Sequence, residues 1–402
     1  MFPSVGQIAL CVASAHRARF LRVASGAVGF LLIACSTLVS CAPPAGEGSL
    51  DLPEVPAPAL SGSALPNAER QPLLVYLPPS YRSGTRRYPV VYYLPGFTTD
   101  VTEYIDGSIQ GLHMRLSMDA FVRQGRLREL IIVVINGRNV LGGSFYVDSP
   151  VSGRWESFVV RDVIPWVESR YRTIDQASAR GLAGDSMGGF GALNLALHHP
   201  DLFGAVYAAS PGLFAPDGLA EQGMFGNQEK ISRLLDAADS LEPLPVPEAR
   251  KRLLAHIRSL YSAGEREAYR EAFAWAYGAA FAPTPGAAPP FVDWPYRRVG
   301  RGLEVVAEKL ARFDSGYGNW EEKLARGGEG LRRLSGLVLD CAENDANTWI
   351  PKGCEHLSEL LTRAEVAHEL RWHPGSHLGS LRFRIEYEML PFFSERLAED
   401  PR

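Results

Sequence analysis

The chain has 402 residues, of which 46% are hydrophobic and 21% are charged. These proportions are those of a globular protein, and they exclude a disordered, collagen-like or coiled-coil chain. With 41 Lys and Arg against 45 Asp and Glu, the net charge is -4, so the chain has no basic field to bind a nucleic-acid backbone. Its five cysteines are too few for a disulfide scaffold and lack the Cys-x-x-Cys spacing of a zinc site.

The N-terminal segment has the pattern of a targeting signal. Arg17, Arg19 and Arg22 precede an uncharged apolar run over 23–39, which is shorter than the roughly 20 residues of a membrane-spanning helix. The following Leu-Val-Ser-Cys, at 38–41, resembles the lipobox of bacterial lipoproteins. We therefore expect a signal peptide over 1–40 and a lipid on Cys41 that anchors the protein to a membrane of the cell envelope. Ordinary secretion is the alternative.

Residues 41–71 contain six prolines among Gly, Ser and Ala, without a helical or alternating apolar period. This composition predicts an extended tether. Residues 72–402 alternate apolar runs with amphipathic segments, which predicts an α/β fold: a mainly parallel sheet covered by helices on both faces. The predicted strands are 73–77, 88–94, 130–135, 180–183, 205–209, 337–339 and 366–372, and the predicted helices are 111–125, 155–171, 188–199, 351–364 and 381–397.

One long segment interrupts this alternation. About 125 residues separate the strand that ends near Ser210 from the one that begins near Gly336, far more than a connecting helix needs. We expect an inserted, mainly helical subdomain over about 214–333, either as a cap over an active site or as helices that widen the core.

The strongest chemical signal is the Gly-x-Ser-x-Gly motif at 184–188. It follows a predicted strand directly and precedes a predicted helix, which is the strand-turn-helix setting that this motif needs. The strained turn is possible only if the residues two places from the serine lack bulk. We therefore predict that Ser186 is a nucleophile at a helix N-terminus; a glycine-rich turn with a capping serine is the alternative.

A serine nucleophile needs a base and a group that orients this base. His377, in a loop of small residues after the last strand, is the predicted base, and His373 is its rival. The acid is expected in the turn after the preceding strand, where we predict Asp345, with Glu343 and Asp340 as alternatives. The adjacent His198 and His199 cannot chelate one ion, because neighbouring helix residues point about 100° apart.

The oxyanion of a tetrahedral intermediate needs two backbone donors. One is expected from the residue after the nucleophile, Met187, and the other from the loop after the strand 88–94, where Phe97 follows Pro95 and Gly96. An ordinary Pro-Gly turn is the alternative for that loop. The chain has no Walker loop, no Gly-x-Gly-x-x-Gly after a strand and no His-Glu-x-x-His, so we expect neither a cofactor nor a metal.

These residues resemble the putative-esterase branch of the α/β-hydrolases, which includes S-formylglutathione hydrolases, feruloyl esterases, enterobactin-type esterases and mycolyltransferases. The similarity covers roughly 72–210 and 336–393 and is most specific at 180–206. It implies the α/β-hydrolase fold, the chain order of nucleophile, acid and base that Ser186, Asp345 and His377 have, and an oxyanion donor at Phe97. The chain departs from the family at Pro95, where many relatives have histidine, and in the insertion.

The predicted function is that of a serine carboxylic-ester hydrolase that acts on a small-molecule, lipid or glycan ester through an acyl-enzyme. An acyltransferase that uses the same residues with a sugar or lipid alcohol, and a non-catalytic envelope binding protein, are the alternatives. Cys341 and Cys354 flank the loop of the predicted acid, and in an oxidising compartment they could pair and brace it.

Overall fold

The computed structural model describes residues 46–400. The predicted signal peptide, 1–40, and the predicted lipidation site Cys41 lie outside these residues. Thirteen strands occur in the described part of the chain: β1 (Ser49–Asp51), β2 (Glu54–Pro56), β3 (Arg70–Leu77), β4 (Val90–Leu94), β5 (Ile131–Ile135), β6 (Asp148–Ser149), β7 (Gly153–Arg154), β8 (Arg180–Asp185), β9 (Ala205–Ala209), β10 (Tyr296–Val299), β11 (Gly302–Val305), β12 (Gly336–Ala342) and β13 (Glu369–His373).

Nine of these strands form one sheet in the order β1-β3-β5-β4-β8-β9-β12-β13, with β2 also paired to β3. Six neighbouring strands of this sheet are parallel to one another: β5, β4, β8, β9, β12 and β13. β3 is antiparallel to β5 and to the short strands β1 and β2. Most of the parallel strands are continuous apolar runs, as expected for strands covered on both faces. The prediction of a mainly parallel sheet is confirmed.

The α-helices of the same part of the chain are α1 (Met114–Arg123), α2 (Trp155–Ser157), α3 (Ile164–Arg170), α4 (Met187–His198), α5 (Gly218–Glu221), α6 (Gln228–Asp239), α7 (Val246–Ala263), α8 (Arg266–Phe281), α9 (Ala307–Tyr317), α10 (Trp320–Leu331), α11 (Trp349–Arg363), α12 (Leu381–Arg384) and α13 (Leu390–Arg396). A π-helical turn joins α2 to α3 and another joins α12 to α13. The predicted helices 155–171 and 381–397 are therefore helical almost throughout but change helix type. Pro165 and Pro391 lie just after the π-helical turns, and a proline without an N–H interrupts the regular α-helical hydrogen bonds at this point.

Side chains alternate between two apolar layers along the strands. Leu73 and Val75 of β3 join a large core on one face, whereas Leu74 and Tyr76 join a second core on the other. Phe190 of α4 packs in the first core, and Met118 of α1 packs in the second. Because six neighbouring strands are parallel, their carboxyl ends lie along one edge of the sheet, where active sites of open α/β sheets form.

The predicted tether does not extend to Gln71. β1 and β2 pair with β3, and Val55, Leu60 and Leu65 are buried against the body of the protein. The prolines are compatible with this packing because β2 is a short edge strand, where a residue without an N–H is tolerated. Burial of the apolar residues between the prolines stabilises this packing. The prediction of a tether over 41–71 is therefore wrong for its described part, 46–71, which packs against the body.

The segment between β9 and β12 contains α5 to α10 and the hairpin formed by β10 and β11. The hairpin was not predicted, since its residues are largely exposed and carry no alternating apolar pattern. Trp275 and Tyr277 of α8 are fully buried and belong to the same core as the sheet. In residues 46–400, no helix is both long enough and apolar enough to span a membrane.

Candidate active site

Ser186 lies at a sharp turn between β8 and α4. Its φ and ψ angles are 52° and -113°, a strained conformation for a residue with a side chain. A Cβ atom on Gly188 would lie 1.7 Å from the carbonyl oxygen of Leu94, and one on Gly184 would lie 2.4 Å from the main chain of Gly188. Both glycines are therefore required for the backbone to pass close to β4. The turn directs the hydroxyl of Ser186 toward the carboxyl edge of the sheet.

The structure brings Ser186, His377 and Asp345 together. Ser186 Oγ lies 2.9 Å from His377 Nε2, and His377 Nδ1 lies 2.6 Å from Asp345 Oδ2. The other carboxylate oxygen of Asp345 accepts a hydrogen bond of 2.8 Å from the N–H of Asn347. Asp345 is buried and His377 is partly exposed. In this arrangement the serine hydroxyl can donate to the imidazole while the carboxylate holds its Nδ1 proton.

The rival residues have other surroundings. His373 Nε2 lies 3.4 Å from a carboxylate oxygen of Asp340, and burial together with the nearby Arg384 lowers the pKa of His373. Asp340 accepts hydrogen bonds from Tyr207 and Arg384. Glu343 is exposed to solvent. In the described residues, His377 has no hydrogen bond with the side chain of either rival acid.

A buried polar group supports the loop that carries His377. The carbonyl oxygen of His377 accepts a hydrogen bond of 2.9 Å from Ser210 Oγ and a longer one, of 3.4 Å, from Arg384 Nη1. Arg384 is fully buried, and its Nε donates to Asp340 Oδ2 at 2.9 Å. The sequence analysis missed Ser210 and Arg384, because their roles depend on contacts between distant parts of the chain and no local motif marks them.

The two predicted oxyanion donors lie in different elements: Phe97 in the loop after β4, and Met187 at the start of α4. Within residues 46–400, no hydrogen bond to another group of the chain starts from the N–H of either residue. Tyr146 OH donates to the carbonyl oxygen of Pro95 at 3.0 Å and fixes the beginning of the loop. A Cβ atom on Gly143 would lie 2.4 Å from the Phe97 ring and 2.5 Å from Met187 Sδ, so this glycine lets both side chains pack.

Asp185, the residue before Ser186, is buried beneath the same loop. Its Oδ1 accepts hydrogen bonds from Tyr93 OH at 2.7 Å and Tyr104 OH at 3.2 Å, whereas its Oδ2 has no partner in the described part of the chain. A Cβ atom on Gly96 would lie 2.6 Å from that oxygen. Burial raises the pKa of Asp185. The surroundings of Asp185 therefore destabilise the ionised form of its carboxyl group.

A cavity of about 180 Å³ contacts Ser186 and His377. The sheet framework contributes Gly96 and Phe97, and the chain beyond β12 contributes Asn347, Trp349, Ile350 and Leu378. The inserted segment contributes Gln222, Arg266, Tyr269, Arg270, Phe273 and Tyr317. The Phe97 ring packs edge-on against Phe273, with ring centroids 5.0 Å apart. The insertion therefore shapes the cavity and also contacts the loop that carries Phe97.

Two further predictions concern cysteine and histidine. Cys341 of β12 and Cys354 of α11 are joined by a disulfide, which connects the strand before Asp345 to the helix after it.

His198 and His199 both lie within hydrogen-bond distance of Glu156. Burial raises the pKa of Glu156, but the contacts with the two histidines outweigh this effect and lower the pKa to about 2. In residues 46–400, no cluster of three or more His, Cys, Asp and Glu side chains is arranged to hold a metal ion.

Known proteins share both the sequence pattern and the fold. The model of the family described as putative esterase matches residues 65–247. An esterase of Mycobacterium tuberculosis is 33% identical over 127 residues, which are 30% of this chain and 25% of that protein. An endo-1,4-beta-xylanase/feruloyl esterase of Xylanibacter ruminicola is 27% identical over 154 residues, which are 37% of this chain and 20% of that protein. The aligned part thus spans a quarter or less of each of these relatives.

The similarity to solved structures extends over most of the chain. A ferulic acid esterase superposes with a TM-score of 0.55 at 20% identity and covers 88% of this chain and 100% of its own. An S-formylglutathione hydrolase from Agrobacterium tumefaciens superposes with a TM-score of 0.52 at 16% identity and covers 88% of this chain and 97% of its own. These similarities establish the α/β-hydrolase fold, and with the family match they confirm the resemblance inferred from the sequence.

Proposed function

On the premise that residues 65–247 match the model of the putative esterase family, we propose that the protein is a serine carboxylic-ester hydrolase that works through an acyl-enzyme. The observation that carries the proposal is the chain of short contacts from Ser186 Oγ to His377 Nε2, at 2.9 Å, and from His377 Nδ1 to Asp345, at 2.6 Å. A hydroxyl, an imidazole and a buried carboxylate in this order are what nucleophilic catalysis by serine requires.

The first half of the reaction forms the acyl-enzyme. Ser186 Oγ attacks the ester carbonyl carbon while His377 Nε2 takes the hydroxyl proton. Asp345 accepts the hydrogen bond of His377 Nδ1 and stabilises the imidazolium ion. The N–H groups of Phe97 and Met187 donate to the oxyanion of the tetrahedral intermediate. The intermediate then collapses, His377 gives the proton to the leaving alkoxide oxygen, and the alcohol departs.

The second half repeats the same steps with water. His377 removes a proton from a water molecule, whose oxygen attacks the acyl carbon on Ser186. The second tetrahedral intermediate breaks the bond to Ser186 Oγ, and His377 returns the proton to the serine. The products are a carboxylic acid, an alcohol and the free enzyme. The ester and one water molecule together supply every atom of the products, so the two half-reactions balance.

The cavity lining supports an ester with an apolar or aromatic part. Phe97, Tyr269, Phe273 and Trp349 present ring surfaces next to Ser186. Flat apolar groups pack favourably against such rings, at about 0.5–1.5 kcal/mol beyond the burial of their area. One relative carries feruloyl esterase in its name, and a feruloyl group has this aromatic character. We therefore place an aromatic acyl or alcohol group in this cavity.

The test compares ester hydrolysis by the wild-type protein and by Ser186→Ala. We expect p-nitrophenol release from a ladder of esters, from acetate to laurate, and a decrease in kcat on the order of 10⁶-fold in Ser186→Ala. Ser240→Ala, in the insertion outside the cavity lining, is the matched control and should keep the wild-type rate. A fluorophosphonate probe should label Ser186 in the wild-type protein, as mapped by peptide mass spectrometry.

Three outcomes would contradict the proposal. Wild-type turnover in Ser186→Ala would remove the serine from the mechanism. Transfer of the acyl group to an added sugar or lipid alcohol in preference to water would identify an acyltransferase. A folded protein that neither hydrolyses the esters nor reacts with the probe would be a non-catalytic binding protein.

We also propose that the protein is anchored in the cell envelope by a lipid on Cys41. The supporting pattern is Arg17, Arg19 and Arg22 before the apolar run 23–39 and the Leu-Val-Ser-Cys sequence that ends at Cys41. Expression in a bacterium fed an alkyne-labelled fatty acid should give a labelled protein in the membrane fraction, and Cys41→Ala should abolish the label. An unlabelled wild-type protein in the medium would indicate ordinary secretion instead.

A further inference from the structure

The cavity next to Ser186 has a positively charged side. Arg266 and Arg270, from the first two turns of α8, line it together with the aromatic residues, and no Asp or Glu side chain is among its lining residues in the described part of the chain. The chain as a whole has a net charge of -4, so two guanidinium groups at one cavity are a local departure from the overall charge. An electropositive cleft attracts and orients anionic ligands.

Two acidic residues of α8, Glu267 and Glu271, are engaged with other cations, whereas Glu265, directly before Arg266, is exposed to solvent and forms no ion pair with it in the described residues. Glu267 pairs with Lys230 at 2.7 Å as well as with Arg270 at 2.8 Å. Glu271 lies 2.8 Å from His256 Nε2. Within residues 46–400, no carboxylate forms an ion pair with Arg266. The guanidinium of Arg266 is therefore available to a ligand, and the charge of Arg270 is only partly balanced, because Glu267 is shared with Lys230.

A second polar group of the insertion faces the same cavity. Gln222 is a lining residue, and its side-chain oxygen is buried without a hydrogen-bond partner in the part of the chain that the structure describes. A buried amide oxygen without a donor costs about 1–3 kcal/mol. A ligand that carries a hydroxyl or N–H group in this position would remove that cost. The polar side of the cavity thus offers two cations and one acceptor.

We propose that the substrate is an anionic ester, whose acyl or alcohol part carries a carboxylate that binds Arg266 and Arg270. This inference rests on the proposed esterase function and specifies its substrate class. Arginine suits this role because its planar guanidinium can bind both oxygens of a carboxylate. The aromatic rings would hold the body of the substrate, and the two arginines would orient it with the ester carbonyl next to Ser186.

The test uses two pairs of esters that differ only in charge. In one pair the charge is on the alcohol part: 4-carboxyphenyl butyrate against 4-carbamoylphenyl butyrate. In the other it is on the acyl part: methyl 4-carboxybenzoate against methyl 4-carbamoylbenzoate. For at least one pair, we expect the wild-type enzyme to have a kcat/KM about tenfold higher for the carboxylate, since charge-assisted hydrogen bonds at a partly exposed site contribute on this order. The preference should decrease in 0.5 M salt.

The variants identify the residues responsible. Arg266→Gln should reduce the ratio of kcat/KM for carboxylate over amide, and Arg266→Gln with Arg270→Gln should bring it to about one. Arg266→Lys, which keeps the charge, should retain part of the preference. Arg258→Gln is the matched control, because Arg258 is an exposed arginine of α7 that does not line the cavity. It should leave the ratio unchanged.

The experiment distinguishes failure of the anionic-substrate inference from failure of the proposed esterase function. If the wild-type enzyme hydrolyses the esters without preferring the carboxylate in either pair, or if the double variant keeps the wild-type ratio, the anionic-substrate inference is wrong and the esterase function stands. If the wild-type enzyme hydrolyses none of these esters and none of the p-nitrophenyl esters, the esterase function fails and this inference fails with it.

Discussion

Ser210 donates a hydrogen bond of 2.9 Å to the main-chain carbonyl oxygen of His377. The two residues are 167 positions apart in the chain, and Ser210 directly follows β9, the strand next to β8 in the sheet. The loop that carries the imidazole is thus attached to the same edge of the sheet as Ser186. The position of His377 depends on this main-chain contact as well as on the contact of its side chain with Asp345.

The first prediction concerns Ser210→Ala. Loss of the hydroxyl removes a donor to the His377 carbonyl and a long contact, of 3.3 Å, with Arg384 Nη2. We expect kcat to decrease about three- to tenfold with little change in KM, because the hydrogen bond to the carbonyl contributes about 1 kcal/mol. Steady-state kinetics and the rate of fluorophosphonate labelling should decrease together. An alanine adds no backbone strain at this position, since it has the same Cβ as serine. A lower melting temperature with unchanged kcat would mean that Ser210 is only structural.

The second prediction distinguishes between the candidate acids. Asp345→Asn should lower kcat by about 10⁴-fold, because an amide cannot hold the imidazole in the required tautomer or stabilise its charge. Glu343→Gln, two residues away and exposed, is the matched control and should keep the wild-type kcat. Both variants are assayed for p-nitrophenyl ester hydrolysis. The assignment of Asp345 would be withdrawn if Glu343→Gln had the larger effect.

The third prediction concerns the turn at Ser186. Gly188→Ala places a Cβ atom 1.7 Å from the Leu94 carbonyl oxygen, so β4 or the turn must move. We expect the free energy of unfolding to decrease by about 3 kcal/mol or more and fluorophosphonate labelling to be lost. Gly302→Ala, where the nearest atom to the new Cβ is 3.7 Å away, should change neither quantity appreciably. Urea unfolding of both variants provides the comparison, and equal stabilities would contradict the steric argument.

The fourth prediction concerns pH. Burial raises the pKa of Asp185 above its value in the unfolded chain, so the unfolded chain loses this proton first as the pH increases. The stabilisation associated with the protonated form is complete below the unfolded pKa and is lost as the pH rises through the folded pKa. The amide introduced by Asp185→Asn cannot titrate. The melting temperature of this variant relative to wild type should therefore increase from pH 4 to pH 8.

The control for this experiment is Asp201→Asn, since Asp201 is 80% exposed in its ion pair with Arg333. Its melting temperature relative to wild type should change little over the same pH range. A constant difference between Asp185→Asn and wild type at all pH values would show that Asp185 has the same pKa in the folded and unfolded chains.

The sequence was sufficient to predict the parts of the site that local patterns encode. The strand, the glycines and the helix around Ser186 are contiguous, and the loop after the last long apolar run contains His377. The support of His377 by Ser210 and Arg384 depends on three distant segments that meet only in the folded protein. A serine after a strand and an arginine in a C-terminal helix have no distinctive pattern, so no inspection of the sequence alone would select them.

The strands at the start of the described chain were missed for a different reason. Proline content dominated the interpretation of 41–71, although Val55, Leu60 and Leu65 are apolar and pack against the body of the protein. Proline excludes a helix and a central strand, but it does not exclude an edge strand. The arginines of the cavity were likewise not predicted, because helical periodicity does not show which turn of α8 faces Ser186.

The contacts of the insertion with the rest of the chain limit how this protein could be engineered. Phe97, the predicted oxyanion donor, packs against Phe273 and Tyr269 of α8, and Tyr261 of α7 donates a hydrogen bond of 2.7 Å to the carbonyl oxygen of Leu141. Ser149 of β6 donates to the carbonyl oxygen of Ala279, also in α8. Grafting another insertion in place of this one would break these contacts near Ser186. A chimera with new specificity would therefore need compensating changes in the Phe97 loop and in the 141–149 segment, so that substrate choice and catalytic competence have to be redesigned together.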